Sequence, residues 1–256
     1  MKSFLKIFKY LKEKGVLWTF RYVVYCIGRR WDNKLCKLLI QIEQRNYIVG
    51  DWTLNAQKFT RAQNISAWNR WDWSEKGEEW TINEEWKNEL ITKMIIPHTK
   101  KAGTFLEIGP GGGRWTEVLQ PLAKKLFLVD ISEKCLSVCR ERFKDCKNIE
   151  YHLYDGRHLS FIKENSIDFI WSYDVFVHIN PTDIDYILRY FQKIMKKDGV
   201  AIIHHSGSGT KEDGQRSDMT KDFFAYLVEK NGMRLISQSS EYVHFPGDII
   251  SIVSPA

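Results

Sequence analysis

The sequence predicts an α/β fold. A seven-stranded sheet, five parallel strands plus a C-terminal antiparallel hairpin, carries helices on both faces and an N-terminal helical cap. Three observations predict it. Short apolar runs alternate with helix-period segments from residue 104 to about 205, in the βαβ manner. The first of these runs ends on a glycine cluster that opens directly into a helix. Near the C-terminus, two further strand-like runs face each other across Phe245-Pro246-Gly247-Asp248, which is strong turn chemistry.

The elements follow in order. Residues 104–108 form a buried strand, 114–124 a helix, and 126–129 a second strand ending on Asp130. Ser132 caps a helix reaching about residue 144, because its hydroxyl can accept from a free N–H of the first turn. Residues 149–154 and 167–173 are the third and fourth strands. Pro181 opens a helix through 197, stopped by Asp198-Gly199, and 200–204 is the fifth strand. A helix over 221–231 ends at Gly232, and the terminal pair covers 233–243 and 249–253.

Ahead of this 100–256 domain lie two segments of different composition. Residues 1–46 form a basic amphipathic helical arm, and 50–99 a Trp-rich cap holding Trp52, Trp68, Trp71, Trp73, Trp80 and Trp86. The chain of 256 residues carries a net charge of +6, yet eight basic residues stand against Glu13 within the first 31. The body is therefore near neutral, which argues against a nucleic-acid partner. In the arm, Phe4, Ile7, Phe8 and Leu11 recur at helical spacing among lysines. The apolar run 16–28, broken by Arg21, is too short to span a bilayer, and no small-residue cleavage site follows it. Two partners for the arm stay open: an anionic membrane surface touched through residues 1–30, or protein, including a second copy of the chain. The five cysteines form no C-x-x-C pair, so reduced thiols and a cytoplasmic location are expected, peripheral to the inner membrane face if the arm binds lipid.

The chemistry concentrates at strand ends. Glu107-Ile108-Gly109-Pro110-Gly111-Gly112-Gly113 sits between the first strand and its helix. Alternate glycines let the backbone turn tightly, and the helix start offers free N–H groups. A dinucleotide G-x-G-x-x-G loop would need glycine where Arg114 stands, and a phosphate loop would need G-K-[ST], which is absent. Asp130 ends the second strand, where a carboxylate can accept from both hydroxyls of a ribose. Asp155-Gly156 follows the third strand.

Together these positions resemble the E/D-x-G-x-G-x-G signature and its downstream acids in class I S-adenosylmethionine (SAM) dependent methyltransferases, of the type 11/12-like group, with a Rossmann-like seven-stranded sheet. The resemblance implies SAM as cofactor and S-adenosylhomocysteine as product. It implies that Glu107 supports the methionine amino group, directly or through water, and that Gly109, Gly111 and Gly113 line the methionyl and ribose part. Asp130 would take the ribose and Asp155 the adenine amino group. Trp115, Ile131, Gly156, Ser172 and Tyr173 are the neighbouring cofactor-side residues.

The segment from Asp168 through Ser172-Tyr173-Asp174-Val175 to His178 matches the family's fourth strand and following loop. It lacks the N/D-P-P-Y/F run of DNA amino-methyltransferases. His178, Asp174 and His204 are the candidate catalytic residues. An alcohol nucleophile needs a base, and a histidine beside the methyl site has a suitable pKa. The competing reading of His178 is a structural ring that hydrogen-bonds the loop. His204 and His205 point to opposite faces of a strand, so at most one faces the substrate. Arg70, Trp80 and His205 are the candidate substrate contacts. A metal site built from Asp174, Asp183 and His204 lacks ligand spacing, and none is expected. The whole resembles bacterial O-methyltransferases of surface-polysaccharide and natural-product pathways, implying a sugar, glycan or small-metabolite hydroxyl as acceptor. N-methylation of an amino sugar or protein side chain, and SAM binding without turnover in a regulatory protein, are the alternatives.

Overall fold

The computed structural model describes residues 61–100, 102–208 and 216–256. The basic arm, Trp52 and residues 209–215 lie outside them. Gln57–Ala256 forms one compact unit, so the tryptophans of 61–99 belong to the same body as the sheet.

The cap segment begins with α1 (Arg61–Arg70) and continues through α2 (Glu84–Leu90). Asn83 caps α2 by accepting from the Trp86 N–H, and the chain tightens and loosens through π and 3-10 turns over Ile91–His98. The alternating core then runs β1 (Gly103–Ile108), α3 (Thr116–Leu119), β2 (Ala123–Asp130), α4 (Glu133–Arg142), β3 (Ile149–Leu153) and β4 (Ile167–Ser172). It continues with α5 (Pro181–Ile194), β5 (Met195–Ser206), α6 (Lys221–Lys230), β6 (Met233–Ser239) and β7 (Asp248–Pro255).

The sheet order is β3-β2-β1-β4-β5-β7-β6. The first five strands pair in parallel, and β7 lies antiparallel between β5 and β6. The expected five parallel strands and terminal antiparallel pair are present, with β6 thereby running in the direction of the first five. Strand order reverses between β1 and β4, and a ligand crevice opens at the carboxyl ends of such a pair. Both strands are buried along nearly their whole length, Phe105, Leu106, Phe169 and Ile170 completely, so their side chains pack on both faces and fix the crevice floor.

Several boundaries differ from the sequence reading, each for a local reason. The helix after the glycine cluster has only one α turn, because Pro121 brings no N–H to continue it; a 3-10 turn over Gln120–Leu122 leads into β2 early. The α5 helix ends at Ile194, not at the Asp198-Gly199 pair. Met195 already pairs with Ile167, and Asp198-Gly199 lies inside β5, where the ladder shifts register. A Cβ on Gly199 would come within 2.9 Å of the Ile167 and Lys196 carbonyl oxygens, so the glycine serves this close backbone approach rather than a helix stop. The sixth strand ends at Ser239 instead of Val243. Tyr242 takes a left-handed φ of 62°, turning the chain before the Phe245–Asp248 turn. Ser132 and Asn180 cap α4 and α5 through their side chains, and Pro181 starts α5 as expected.

Candidate active site

A cavity lies at the carboxyl ends of β1, β2 and β4, roofed by the cap. Its floor is the Gly109–Gly111 turn, Arg114 and Trp115; one side carries Asp130, Ile131, Tyr154 and Gly156, the other Tyr173 to Val175 and His178. Asn64, Trp68, Trp71, Trp73 and Trp80 close it from the cap, and Arg216, His244 and Phe245 complete the far wall.

The glycine turn is left-handed at Gly109, Gly111 and Gly113, with φ of 70°, 55° and 90°. A Cβ on Gly111 would sit 2.6 Å from the Trp73 ring, and one on Gly109 would sit 2.4 Å from a Val175 methyl. The close approach expected of a ligand is thus made partly by protein: the cap tryptophan and the loop after β4 both use the space. Gly113 packs against Phe143 and is not part of the wall.

Two carboxylates beside this turn are buried without a cation. Glu107, 2% exposed, accepts from the Thr116 hydroxyl at 2.7 Å, and Asp130, 5% exposed, accepts from the Ser132 N–H at 2.8 Å. Among the described residues neither forms an ion pair. Burial pushes Glu107 up to about 8, against the Thr116 hydroxyl and Arg114, and pushes Asp130 up to about 7, against backbone N–H groups of Ser132 and Gly111. These are acceptors waiting for donors. An ammonium group and a ribose diol would supply them, so the residues present fit the methionyl and ribose parts of SAM.

Both acids keep in the folded state a proton that the unfolded chain sheds near its ordinary carboxylate pKa of about 4. Folding stability therefore falls as pH rises from about 5 to about 8. Replacing Glu107 by Gln removes a large part of that fall. Thermal melts of the unliganded chain across this window should show a shallower decline for the variant; parallel declines would contradict the assignment.

The wall opposite Asp130 is a buried charge cluster. Arg114 donates Nη2–H to Asp174 Oδ2 at 2.5 Å, while its Nη1, buried as well, has no partner. Such an unpaired donor beside the glycine turn suits the SAM carboxylate. Asp174 also lies 3.2 Å from His204 Nδ1, and His204 Nε2 lies 3.5 Å from Asp248, which Arg216 holds through two contacts at 3.0 and 3.2 Å. Burial would raise Asp174, but His204, Arg114 and His244 hold it well below the usual carboxylate range. Burial alone would lower His204; the two flanking carboxylates carry it upward.

Gly109, Gly111, Trp115, Asp130, Ile131, Gly156, Tyr173, Asp174, His178 and Trp80 line the cavity. Glu107 lies just beneath the turn, and Ser172 spends its hydroxyl on the Ile108 carbonyl at 2.9 Å. Asp155 lies outside the lining, its carboxylate accepting from Arg157 N–H, His158 N–H and the His158 ring. His204 is fully buried behind Asp174 and lies outside the cavity lining. His205 faces the other side of the sheet, stacked on Phe224 at 3.8 Å with Nε2 on Ser251, and burial lowers its pKa to about 3. Arg70 is exposed and donates to the Ser66 carbonyl within its own helix.

The sequence reading missed Asn64, Arg216 and His244 on the wall. His244 sits one residue before the turn that was read only as hairpin chemistry; a polar ring beside Phe245 was the available signal.

Residues 106–203 match the methyltransferase domain family. This stretch is a methyltransferase domain. Solved structures share its fold at low identity. A SAM-dependent methyltransferase of Leishmania major is 13% identical with a TM-score of 0.62, covering 76% of this chain and 82% of that one. One from Clostridium acetobutylicum is 14% identical with a TM-score of 0.58, covering 71% and 96%. The SpnF cyclase, 11% identical with a TM-score of 0.54 over 65% and 80%, shows the same fold under a different activity name, so the acceptor must be argued from the site. No protein of curated function matches the sequence. SAM is the cofactor of the methyltransferase domain. Among the described residues no helix is long and apolar enough to cross a membrane.

Proposed function

We propose that the methyltransferase moves the SAM methyl group to a hydroxyl of a sugar, glycan or small metabolite. The observation that carries this reading is that two imidazoles, His178 and His244, line the cavity together with the cap tryptophans. His178, expected from the sequence to act as general base, lies on the wall with its ring 5.3 Å from Trp68, and the Asn64 amide holds its carbonyl at 3.0 Å. SAM supplies a methyl group on a sulfonium, a leaving group that needs no activation. What the protein must do is orient a nucleophile and accept its proton. A hydroxyl needs such a base at neutral pH, and the tryptophans Trp68, Trp71 and Trp80 offer faces and edges for the C–H surface of a sugar.

The test is a panel of glycosides, phenols, polyols and matched amines, with S-adenosylhomocysteine release as readout. Turnover on hydroxyl compounds is expected. Turnover confined to the amines would replace the reading with N-methylation, and saturable SAM binding with no turnover on any class would favour a regulatory protein. The basic arm is the proposed contact with an anionic membrane surface, which suits a lipid-linked glycan. Sedimentation of the full chain with phosphatidylserine vesicles checks it; a chain left wholly in the supernatant would remove that part.

A further inference from the structure

His244 lies between β6 and β7, where no motif pointed to chemistry. Its side chain is 9% exposed and its ring forms part of the cavity wall. Nε2 stands 3.4 Å from Asp174 Oδ1, and the buried Nδ1 has no hydrogen-bond partner. The Tyr242 carbonyl, two residues earlier, accepts from both the Trp86 indole at 3.1 Å and the Tyr173 hydroxyl at 2.5 Å, which ties this loop to the cap and to the end of β4. Trp86, Tyr173 and Phe245 surround the ring, with centroids 5.9, 6.2 and 4.6 Å away.

The carboxylate behind the ring is itself fixed. Arg114 from the glycine turn and His204 from β5 both engage Asp174, and Arg216 lies on the same wall. Asp174 holds a left-handed φ of 62° without being glycine, a backbone cost that places its side chain at this junction. A carboxylate that orients one ring nitrogen leaves the other as a lone-pair acceptor, which is the working part of every carboxylate–histidine base. The 3.4 Å separation is longer than a formed hydrogen bond; such contacts tighten when the reactants are in place.

We propose that His244, oriented by Asp174, is the group that takes the proton of the acceptor hydroxyl, a step that rests on the O-methylation reading. As the oxygen forms its bond to the methyl carbon, the carbon–sulfur bond breaks and its electron pair stays on sulfur. The hydroxyl proton passes to His244 Nδ1, the resulting imidazolium is held by the Asp174 carboxylate, and the proton later leaves to water. His178, across the aromatic surface, then orients the acceptor. The charge state agrees: burial lowers the His244 pKa, Asp174 opposes this, and His204, Arg114 and Arg216 add to the lowering, which favours the neutral ring.

Two readouts test this. In the full chain saturated with S-adenosylhomocysteine, imidazole nitrogen NMR should show His244 as the neutral Nε2–H tautomer at neutral pH. A charged ring or the Nδ1–H tautomer would overturn the proposal even if no acceptor had been found. With a hydroxyl acceptor from the panel, His244→Gln should lower kcat by about 100-fold or more. It should also flatten the acid limb of the kcat profile and leave S-adenosylhomocysteine binding within about threefold of the original. His178→Gln should act mainly on KM. If the unaltered chain methylates hydroxyls and His244→Gln keeps kcat within about threefold, the proposal fails while O-methylation stands. If only amines react, the O-methylation reading itself fails.

Discussion

Replacing Asp130 by Asn is expected to weaken S-adenosylhomocysteine binding by more than about 100-fold. The carboxylate ends β2 at the cavity wall, and the Ser132 N–H already occupies Oδ1 at 2.8 Å. Hydrogen bonds to a charged group contribute about 1.5–3 kcal/mol each, so two ribose hydroxyls lost from the carboxylate cost about 3 kcal/mol at the low end. At about 1.4 kcal/mol per tenfold, that exceeds a hundredfold in affinity. Asparagine can still accept the Ser132 N–H, so α4 keeps its start and folding is not the cause of the loss. Calorimetric titration of both chains decides it, and an affinity within about threefold of the original would contradict the ribose role.

Arg114→Ala is expected to cost about 3 kcal/mol of stability, at the low end of what breaking a buried ion pair costs. The guanidinium and Asp174 side chains are 5% and 14% exposed, and the alanine variant leaves the carboxylate with His204 and His244 as its remaining neighbours. For a chain of this size that corresponds to a melting temperature lower by about 6–12 °C at neutral pH. Acid sensitivity should rise too. Asp174 is held below its ordinary pKa, so its contribution is present above the unfolded value and is lost as pH falls through the folded one. Removing Arg114 moves the folded value upward and the acid transition with it. Lysine should rescue poorly, because a point charge cannot serve Asp174 and a second anion at the Nη1 position together. A melting temperature lowered by less than about 2 °C would show that the pair carries little.

Most of the fold was legible because the signals were local. The buried strands read as apolar runs, Ser132 and Pro181 marked helix starts, and the glycine turn after β1 announced itself by spacing. What misled were residues whose role is set by distant chain. Asp198-Gly199 has the chemistry of a helix stop, yet the pairing of Met195 with Ile167 draws it into a strand. His204 and His205 alternate as any strand must, but the sequence could not show that Asp174 and Asp248 close around one and Phe224 covers the other. Nor could the sequence show that Asp155 takes hydrogen bonds from its own turn and from His158. His244 was invisible for the converse reason. Its partner Asp174 lies 70 positions earlier, so no spacing in the sequence joins them.

The central claim is that the cavity over the glycine turn binds SAM through buried acids that the unliganded protein keeps partly protonated. Calorimetric titration of the full chain with SAM at neutral pH, run in two buffers of different ionisation enthalpy, tests it most directly. Saturable one-to-one binding is expected, with protons released as the ammonium group and ribose satisfy Glu107 and Asp130. No saturable heat at millimolar SAM would contradict the binding site, and binding without proton release would contradict the role given to the two carboxylates.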